Sequence, residues 1–167
     1  MLEYIRPGAT LTLAEGLDEY YGSREHLRTG RGMSDAAREF FRCHDAAHVV
    51  FGCSTELLDE GVVKLWSLFG TTAGLSLLRA YRLPESQEIY SEISLGATVS
   101  TAVGMLRLAP ITLWRCSRMT ERWPWSRFEA YLDLPLVEIR RRYGIRVVAP
   151  TQRDAAAARG PSQPELR

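Results

Sequence analysis

The sequence predicts an all-α fold, a single-domain helical bundle with long central helices and a short helical C-terminal segment. Three observations predict it: strand-like alternation is scarce, apolar residues recur every three or four positions, and 167 residues suit one domain. With 46% hydrophobic residues and a formal net charge of +1, the composition is that of a folded soluble domain. We place the domain at residues 1–150 and a disordered tail at residues 151–167.

The first long helix is predicted to begin after Ser34, which can cap it, and to end near Gly52. The positive end of the helix dipole would stabilise the negative charge of Asp35 in the first turn. Its apolar face is predicted to comprise Ala36, Phe40, Ala47 and Phe51.

The next helix is predicted to be capped by Ser54 or Thr55 and to run to Arg82, just before Pro84. That makes about 28 residues, or roughly 42 Å, unless Gly61 or Gly70 bends it. The remaining helices are predicted at Glu85–Arg107, resuming after Pro110 and closed by Pro124, at Ser126–Leu132, and at Pro135–Tyr143 with Gly144 past its end.

Two uncharged windows, Leu65–Leu78 and Ile93–Leu106, contain many small residues. Each has fourteen residues, whereas a membrane span needs about twenty, so neither is expected to cross a bilayer. We expect two closely packed core helices, with an apolar slot for a lipid tail as the alternative.

Charge and cysteine content narrow the expected partners and compartment. Twenty of the twenty-one basic residues are Arg, Lys64 being the exception, and residues 101–167 are clearly positive. Arginine suits anionic lipid headgroups or an acidic substrate, although Arg-rich codon usage also explains the bias and is the favoured explanation. No basic run with interleaved aromatics is present, so nucleic acid is not an expected partner. Three cysteines without a C-x-x-C pair and an N-terminus unlike a signal peptide favour the cytoplasm.

The candidate chemistry lies in one cluster, His44-Asp45-Ala46-Ala47-His48, followed eleven residues later by Glu60. On a helix, His44, Asp45 and His48 fall within about one quadrant. A reversal at residues 52–54 would bring Glu60 to a comparable level on the next helix. Two imidazoles with one or two carboxylates suit Zn, Fe or Mn, and three or four such ligands leave room for substrate.

Other interpretations of these residues stay open. His44 and His48 could be ordinary core or surface histidines, with Asp45 and Glu60 in ion pairs with Arg42 or Lys64. Cys43 and Cys53 fit buried small residues better than ligands. A zincin needs H-E-x-x-H, whereas Asp45 stands at the Glu position.

An HD-type phosphohydrolase is a further alternative. Such an enzyme would use His26, His44, Asp45 and Asp59. It would leave His48 and Glu60 without a role.

The spacing H-D-x-x-H-x11-E resembles the signature of the coenzyme Q biosynthesis protein 4 family. The following residues 51–60 are similar to that family's turn and second ligand helix. Residues 128–145 resemble its closing segment. Together the similar regions extend over roughly residues 34–146, although the middle agrees only in helical character.

The resemblance implies an all-helical, membrane-peripheral protein of ubiquinone biosynthesis. It implies that His44, Asp45, His48 and Glu60 bind a divalent metal and form the catalytic site, with zinc expected first and iron or manganese as alternatives. The implied reaction is oxidative decarboxylation and hydroxylation at C1 of a polyprenylated aromatic acid; the alternative is a non-catalytic prenyl-lipid-binding scaffold. Implied partners are a polyprenylated quinone precursor or another isoprenoid lipid, other quinone-biosynthesis proteins and the membrane surface on the cytoplasmic side, with a homodimer left open.

Overall fold

The computed structural model describes residues 2–22, 34–80 and 95–148, leaving aside the side chains of residues 79–80 and 95–100. Within those ranges the chain is helical and contains no strand, which confirms the all-α prediction. The α-helices are α1 (Leu13–Tyr21), α2 (Asp35–Phe51), α3 (Leu57–Gly70), α4 (Leu77–Ala80), α5 (Leu95–Ser117) and α6 (Leu136–Tyr143). Short 3-10 segments cover Gly74–Ser76 and Trp125–Tyr131.

Helix α2 forms the centre of the fold and begins and ends as predicted. The Ser34 side chain accepts a hydrogen bond from the Ala37 amide at 3.3 Å, and Gly52 ends the helix with a φ of 64°. Only glycine adopts that left-handed conformation without a steric penalty. The predicted apolar face is wrong at Ala36, which is exposed, because the helix turns Ala37 inward instead.

The prediction of one long helix from Ser54 or Thr55 to Arg82 is wrong over the residues that the structure describes. Helix α3 has Glu56 at its N-cap and stops at Gly70, followed by the 3-10 segment and α4. The Ser54 side chain does not cap it; instead, the Ser54 amide donates to Asp59 Oδ2 at 2.6 Å. Residues 81–82 lie outside the described residues, as do residues 85–94 of the third predicted helix.

Gly61 and Gly104 let α3 and α5 approach closely; Gly104 lies in the predicted window Ile93–Leu106, whereas Gly61 lies outside both windows. The expectation of one core helix over Leu65–Leu78 is wrong, because α3 ends at Gly70 and a 3-10 segment and α4 follow. A Cβ placed on Gly61 would lie 2.6 Å from Met105 Sδ, and one on Gly104 would lie 2.7 Å from Leu58 Cδ1. Helix α5 continues through Pro110, on the exposed side of the helix. In the described part of the chain, no helix is long and apolar enough to span a membrane.

The C-terminal segment closes over the centre as short helical pieces. The helix predicted at Ser126–Leu132 is a 3-10 segment one residue earlier, at Trp125–Tyr131. Helix α6 starts at Leu136 with Pro135 at its N-cap. Gly144 ends α6 with a φ of 67°, as its predicted position past the helix requires. The tail at residues 151–167 and the end of the predicted domain lie outside the described residues.

Helix α1 was not among the predicted elements, although the sequence holds its signal. Thr12 and Glu15 form a capping box, each side chain bonding the other's backbone amide. The helix packs on α2 through Gly16, where an added Cβ would lie 2.6 Å from Val49 Cγ1. It places Tyr20 and Tyr21 beside the ligand-type cluster on α2.

Candidate metal centre

The α2–α3 hairpin brings two histidines and one glutamate together. His48 Nε2 lies 3.1 Å from Glu60 Oε1, and His44 Nε2 lies 4.0 Å from Glu60 Oε2. The two imidazole rings meet edge to face with centroids 4.7 Å apart. One ligand atom from each residue lies within 4.8 Å of the others, so His44, His48 and Glu60 could hold a metal ion.

These three side chains are mostly withdrawn from solvent. The side chain of His48 is 0% exposed, that of His44 is 7% exposed and that of Glu60 is 18% exposed. Phe40 stacks beside His44 and Tyr20 lies beside His48, with ring centroids 5.8 and 5.2 Å away. Glu60 is therefore the side by which solvent or a ligand approaches the group.

The turn after α2 orients His48. Because Gly52 takes a left-handed conformation, the chain folds back and the Cys53 amide donates to the His48 carbonyl at 2.8 Å. The Cys53 carbonyl then lies 3.2 Å from His48 Nδ1 and also accepts from the Tyr4 hydroxyl at 3.3 Å. A carbonyl oxygen only accepts, so Nδ1 carries the proton and Nε2 faces Glu60.

That orientation favours a cation between His48 and Glu60. In a neutral ring with the proton on Nδ1, the Nε2 lone pair would oppose a carboxylate oxygen at 3.1 Å. A proton or a metal ion between the two atoms removes this repulsion. Ligands about 2.1 Å from a tetrahedral zinc lie about 3.4 Å apart. This value falls between the two His–Glu distances of 3.1 and 4.0 Å, so the donor set could hold a metal.

The pKa values of His44 and Glu60 favour the protonation states in which both side chains can bind a metal ion. Burial lowers the pKa of His44 to about 3, with the neighbouring His48 imidazole acting in the same direction, so the neutral form of His44 is favoured at pH 7. Burial alone would raise the pKa of Glu60. The adjacent imidazoles of His48 and His44 and the ammonium of Lys64 outweigh burial and lower the pKa of Glu60 to about 2.

Asp45, the fourth residue of the motif, has different partners. Its Oδ1 accepts from the Tyr20 hydroxyl at 3.2 Å and its Oδ2 from the Tyr21 hydroxyl at 3.0 Å. Burial raises the pKa of Asp45 to about 6, against the opposing charge of His48 and the two phenol hydrogen bonds. The structure therefore brings His44, His48 and Glu60 into one group and places Asp45 beside it.

The two tyrosines are site residues that the sequence interpretation missed. The capping box at Thr12 and Glu15 could have placed a helix over both. Nothing in the local sequence indicates that the hydroxyls would meet an aspartate twenty-four or twenty-five residues away.

Other candidates from the sequence lie outside this group. Arg42 pairs with Glu39 at 3.3 Å and Glu129 at 2.8 Å. Cys43 is buried, and its burial raises the pKa of its thiol to about 12, so it is no ready thiolate ligand. Asp59 accepts from the Ser54 amide, and His26 of the phosphohydrolase interpretation lies outside the described residues.

Comparisons with protein-family models, with curated proteins and with solved structures give no match. Function is therefore inferred from the geometry of the site and from the motif resemblance.

Proposed function

We propose that the chain is a metal-dependent, membrane-peripheral protein of ubiquinone biosynthesis that acts on a polyprenylated aromatic acid. One observation carries the proposal: two imidazole nitrogens and a carboxylate converge across the α2–α3 hairpin at metal-ligand spacing. The motif that supplies these residues is the one that resembles the coenzyme Q biosynthesis protein 4 family. That resemblance also assigns Asp45 as a fourth ligand; each Asp45 oxygen keeps a lone pair besides its phenol hydrogen bond.

The proposed reaction replaces the ring carboxyl group by a hydroxyl group. The carboxylic acid, one O2, two protons and two electrons give the phenol, CO2 and one water. Molecular oxygen is the oxidant, and a two-electron donor completes the balance. A bound divalent metal would supply Lewis acidity toward the carboxylate or a ring oxygen, and iron in a two-His, one-carboxylate site would also suit oxygen chemistry, whereas zinc has no redox chemistry of its own.

The residues of the chain bind and orient in this proposal. His44 stays neutral because it is buried, and the Cys53 carbonyl fixes the tautomer and ring angle of His48. Glu60 stays anionic and is the most exposed of the three, so the ligand enters along α3. Phe40 and Tyr20 provide the apolar wall that limits water.

The exposed side of α5 supports the membrane and lipid part of the proposal. Leu106 is 78% exposed and Trp114 is 52% exposed. Arg118 lies over the Trp114 ring at 5.8 Å, and no acidic residue occurs between Ser100 and Thr120. An apolar surface flanked only by arginines is suited to anionic headgroups. The same surface would serve a non-catalytic prenyl-lipid scaffold, which is the second candidate function.

Metal analysis tests the proposed centre. Protein purified without chelator is expected to contain about one divalent ion per chain by inductively coupled plasma mass spectrometry. Glu60→Ala should lose most of it, while Glu56→Ala, an exposed carboxylate at the start of the same helix, should keep it. Equal metal content in both variants would remove Glu60 from the centre.

An activity measurement separates the enzyme from the scaffold. Metal-loaded protein, a prenylated 4-hydroxybenzoate, O2 and a reductant are expected to release CO2 and form the ring-hydroxylated product. His48→Ala should abolish the product while keeping copurified prenyl lipid. Lipid retention without any product from the wild-type protein would favour the scaffold.

A further inference from the structure

Lys64 is the only lysine in a chain that otherwise uses arginine at every basic position. It lies on α3 four residues after Glu60, and residues at this spacing share one helix face about 6 Å apart. The side chain is half-buried. Its charge lowers the pKa of both Glu60 and His44, so it acts on the candidate metal centre from one helical turn away.

The charges around the centre are unbalanced once a divalent ion is present. Two neutral histidines and Glu60 would leave about one positive charge on the metal group, and Lys64 adds a second. Asp45 supplies one negative charge when ionised, which the hydrogen bonds from the neutral Tyr20 and Tyr21 phenols do not cancel, so about one net positive charge then remains. Two like charges in a largely buried site repel each other, and water screens this repulsion only in part.

We propose that the Lys64 ammonium binds the oxyanion of the ligand, a carboxylate or phosphate group seated beside the metal. The anion would lie between the two cations and cancel their repulsion. The assignment rests on the proposed metal centre and adds what that centre recognises: an organic anion, held by Lys64 at the edge where Glu60 reaches solvent.

The competing explanation is that Lys64 only neutralises Glu60. In that case Lys64 would have no effect on whether an anion strengthens metal binding. If Lys64 binds the anion, each ligand must strengthen the other's binding by the same factor, because linkage is reciprocal. Lysine is suited to this task, since its compact ammonium places a full charge against one oxygen.

The experiment measures zinc affinity of chelator-treated protein by indicator competition, with and without benzoate at constant ionic strength. For the wild type, saturating benzoate is expected to tighten zinc binding about tenfold. Lys64→Gln should bind zinc about tenfold more tightly without benzoate and should respond little to its addition. Arg38→Gln, which removes an exposed charge at the start of α2, should behave as the wild type, and Lys64→Arg should keep part of the coupling.

Phenyl phosphate in a parallel titration shows which oxyanion is preferred. Coupling by either anion that depends on Lys64 supports the proposal. Equal coupling in the wild type and Lys64→Gln, or no coupling by either anion, would overturn it while leaving the metal centre intact. No zinc binding by any variant would instead overturn the proposed function and this inference with it.

A second measurement needs no substitution at Lys64. Because the chain has one lysine, acetylation by an amine-specific reagent reports on Lys64 alone once the N-terminal amine is counted separately by mass spectrometry. Zinc together with benzoate or phenyl phosphate should slow Lys64 acetylation several-fold in the wild type. An unchanged rate would contradict the assignment.

Discussion

The Nδ1 atom of His48 lies 3.2 Å from the carbonyl oxygen of Cys53, on the turn that also ends α2. One backbone carbonyl thus aims the opposite nitrogen at Glu60 on α3. Metal-ligating histidines commonly have such a partner, which fixes ring orientation and raises ligand basicity. The hairpin turn is therefore part of the candidate centre as well as a connection.

The tautomer of His48 can be measured directly. Long-range 1H–15N correlation spectra of the zinc-loaded protein at pH 7 are expected to show the proton on Nδ1, with the Nε2 signal shifted by the metal. The spectrum of His48→Gln lacks the His48 signals and so assigns them in the wild type. A proton on Nε2 of His48 would contradict the orientation described here.

The pH dependence of the metal-free protein follows from two opposing shifts. The pKa of His44 falls from 6.5 to about 3, so its contribution to stability is present above pH 6.5 and is lost as the pH drops toward 3. The pKa of Asp45 rises from 3.8 to about 6, so its contribution is present below pH 3.8 and is lost as the pH rises through 6. Between pH 6 and 4 the two effects partly cancel.

In Asp45→Asn, the pH dependence of stability should show the contribution of His44 alone. We expect urea unfolding of chelator-treated Asp45→Asn to show a loss of roughly 3 kcal/mol between pH 6.5 and 4, with a smaller loss in the wild type. Asp133→Asn removes an exposed carboxylate and should match the wild type. Equal pH slopes for Asp45→Asn and the wild type would show that burial does not raise the pKa of Asp45. No loss in Asp45→Asn between pH 6.5 and 4 would show that burial does not hold His44 neutral.

Local signals predicted α2 and the pairing of its histidines with Glu60. The helix signals at Ser34 and Gly52 and the apolar spacing can each be recognised within one or two helical turns of sequence. The chain reversal follows from the left-handed conformation of Gly52. The long helix beyond Gly70 could not be excluded locally. Its end depends on a tertiary pairing of backbones, in which the Trp123 amide donates to the Gly70 carbonyl at 2.9 Å.

The surroundings of the centre depend on contacts distant in sequence. Tyr20 and Tyr21 reach Asp45 from α1, and Tyr4 reaches the Cys53 carbonyl across forty-nine positions. Spacing along one helix contains no information about such partners. The motif therefore identified the ligand candidates, whereas the two tyrosine partners of Asp45 can be identified only in the folded structure.

Close packing of α1 on α2 can be tested at Gly16. A Cβ there would lie 2.6 Å from Val49 Cγ1, and Val49 is β-branched and fully buried, so it cannot move aside easily. We expect Gly16→Ala to lower the free energy of unfolding by about 1–3 kcal/mol. Gly8→Ala, where no atom lies within 4 Å of the added carbon, should change it little. Adding Val49→Ala to Gly16→Ala should restore part of the packing; no difference between the Gly16 and Gly8 variants would contradict the contact.

Arg140 on α6 is buried and joins α6 to two other segments through their backbone carbonyls. Its Nε donates to Val50 at 2.9 Å and its Nη2 to Val49 at 2.8 Å, at the C-terminal end of α2, where a cation is also favoured by the helix dipole. The remaining donors reach the Tyr4 and Arg6 carbonyls, both at 2.6 Å. Arg140 thus anchors the N-terminal segment and α6 to the helix that carries His44 and His48.

Replacing Arg140 should therefore weaken the whole fold. Arg140→Met would leave several buried carbonyls without donors, and we expect it to lower the free energy of unfolding in urea by about 3–5 kcal/mol. Arg140→Lys should recover little, because one ammonium cannot reach the carbonyls of both segments as the planar guanidinium does. Arg141→Met, which changes the adjacent exposed arginine, should have an effect below about 0.5 kcal/mol. A loss in Arg140→Met no larger than in Arg141→Met would show that the four hydrogen bonds do not stabilise the fold.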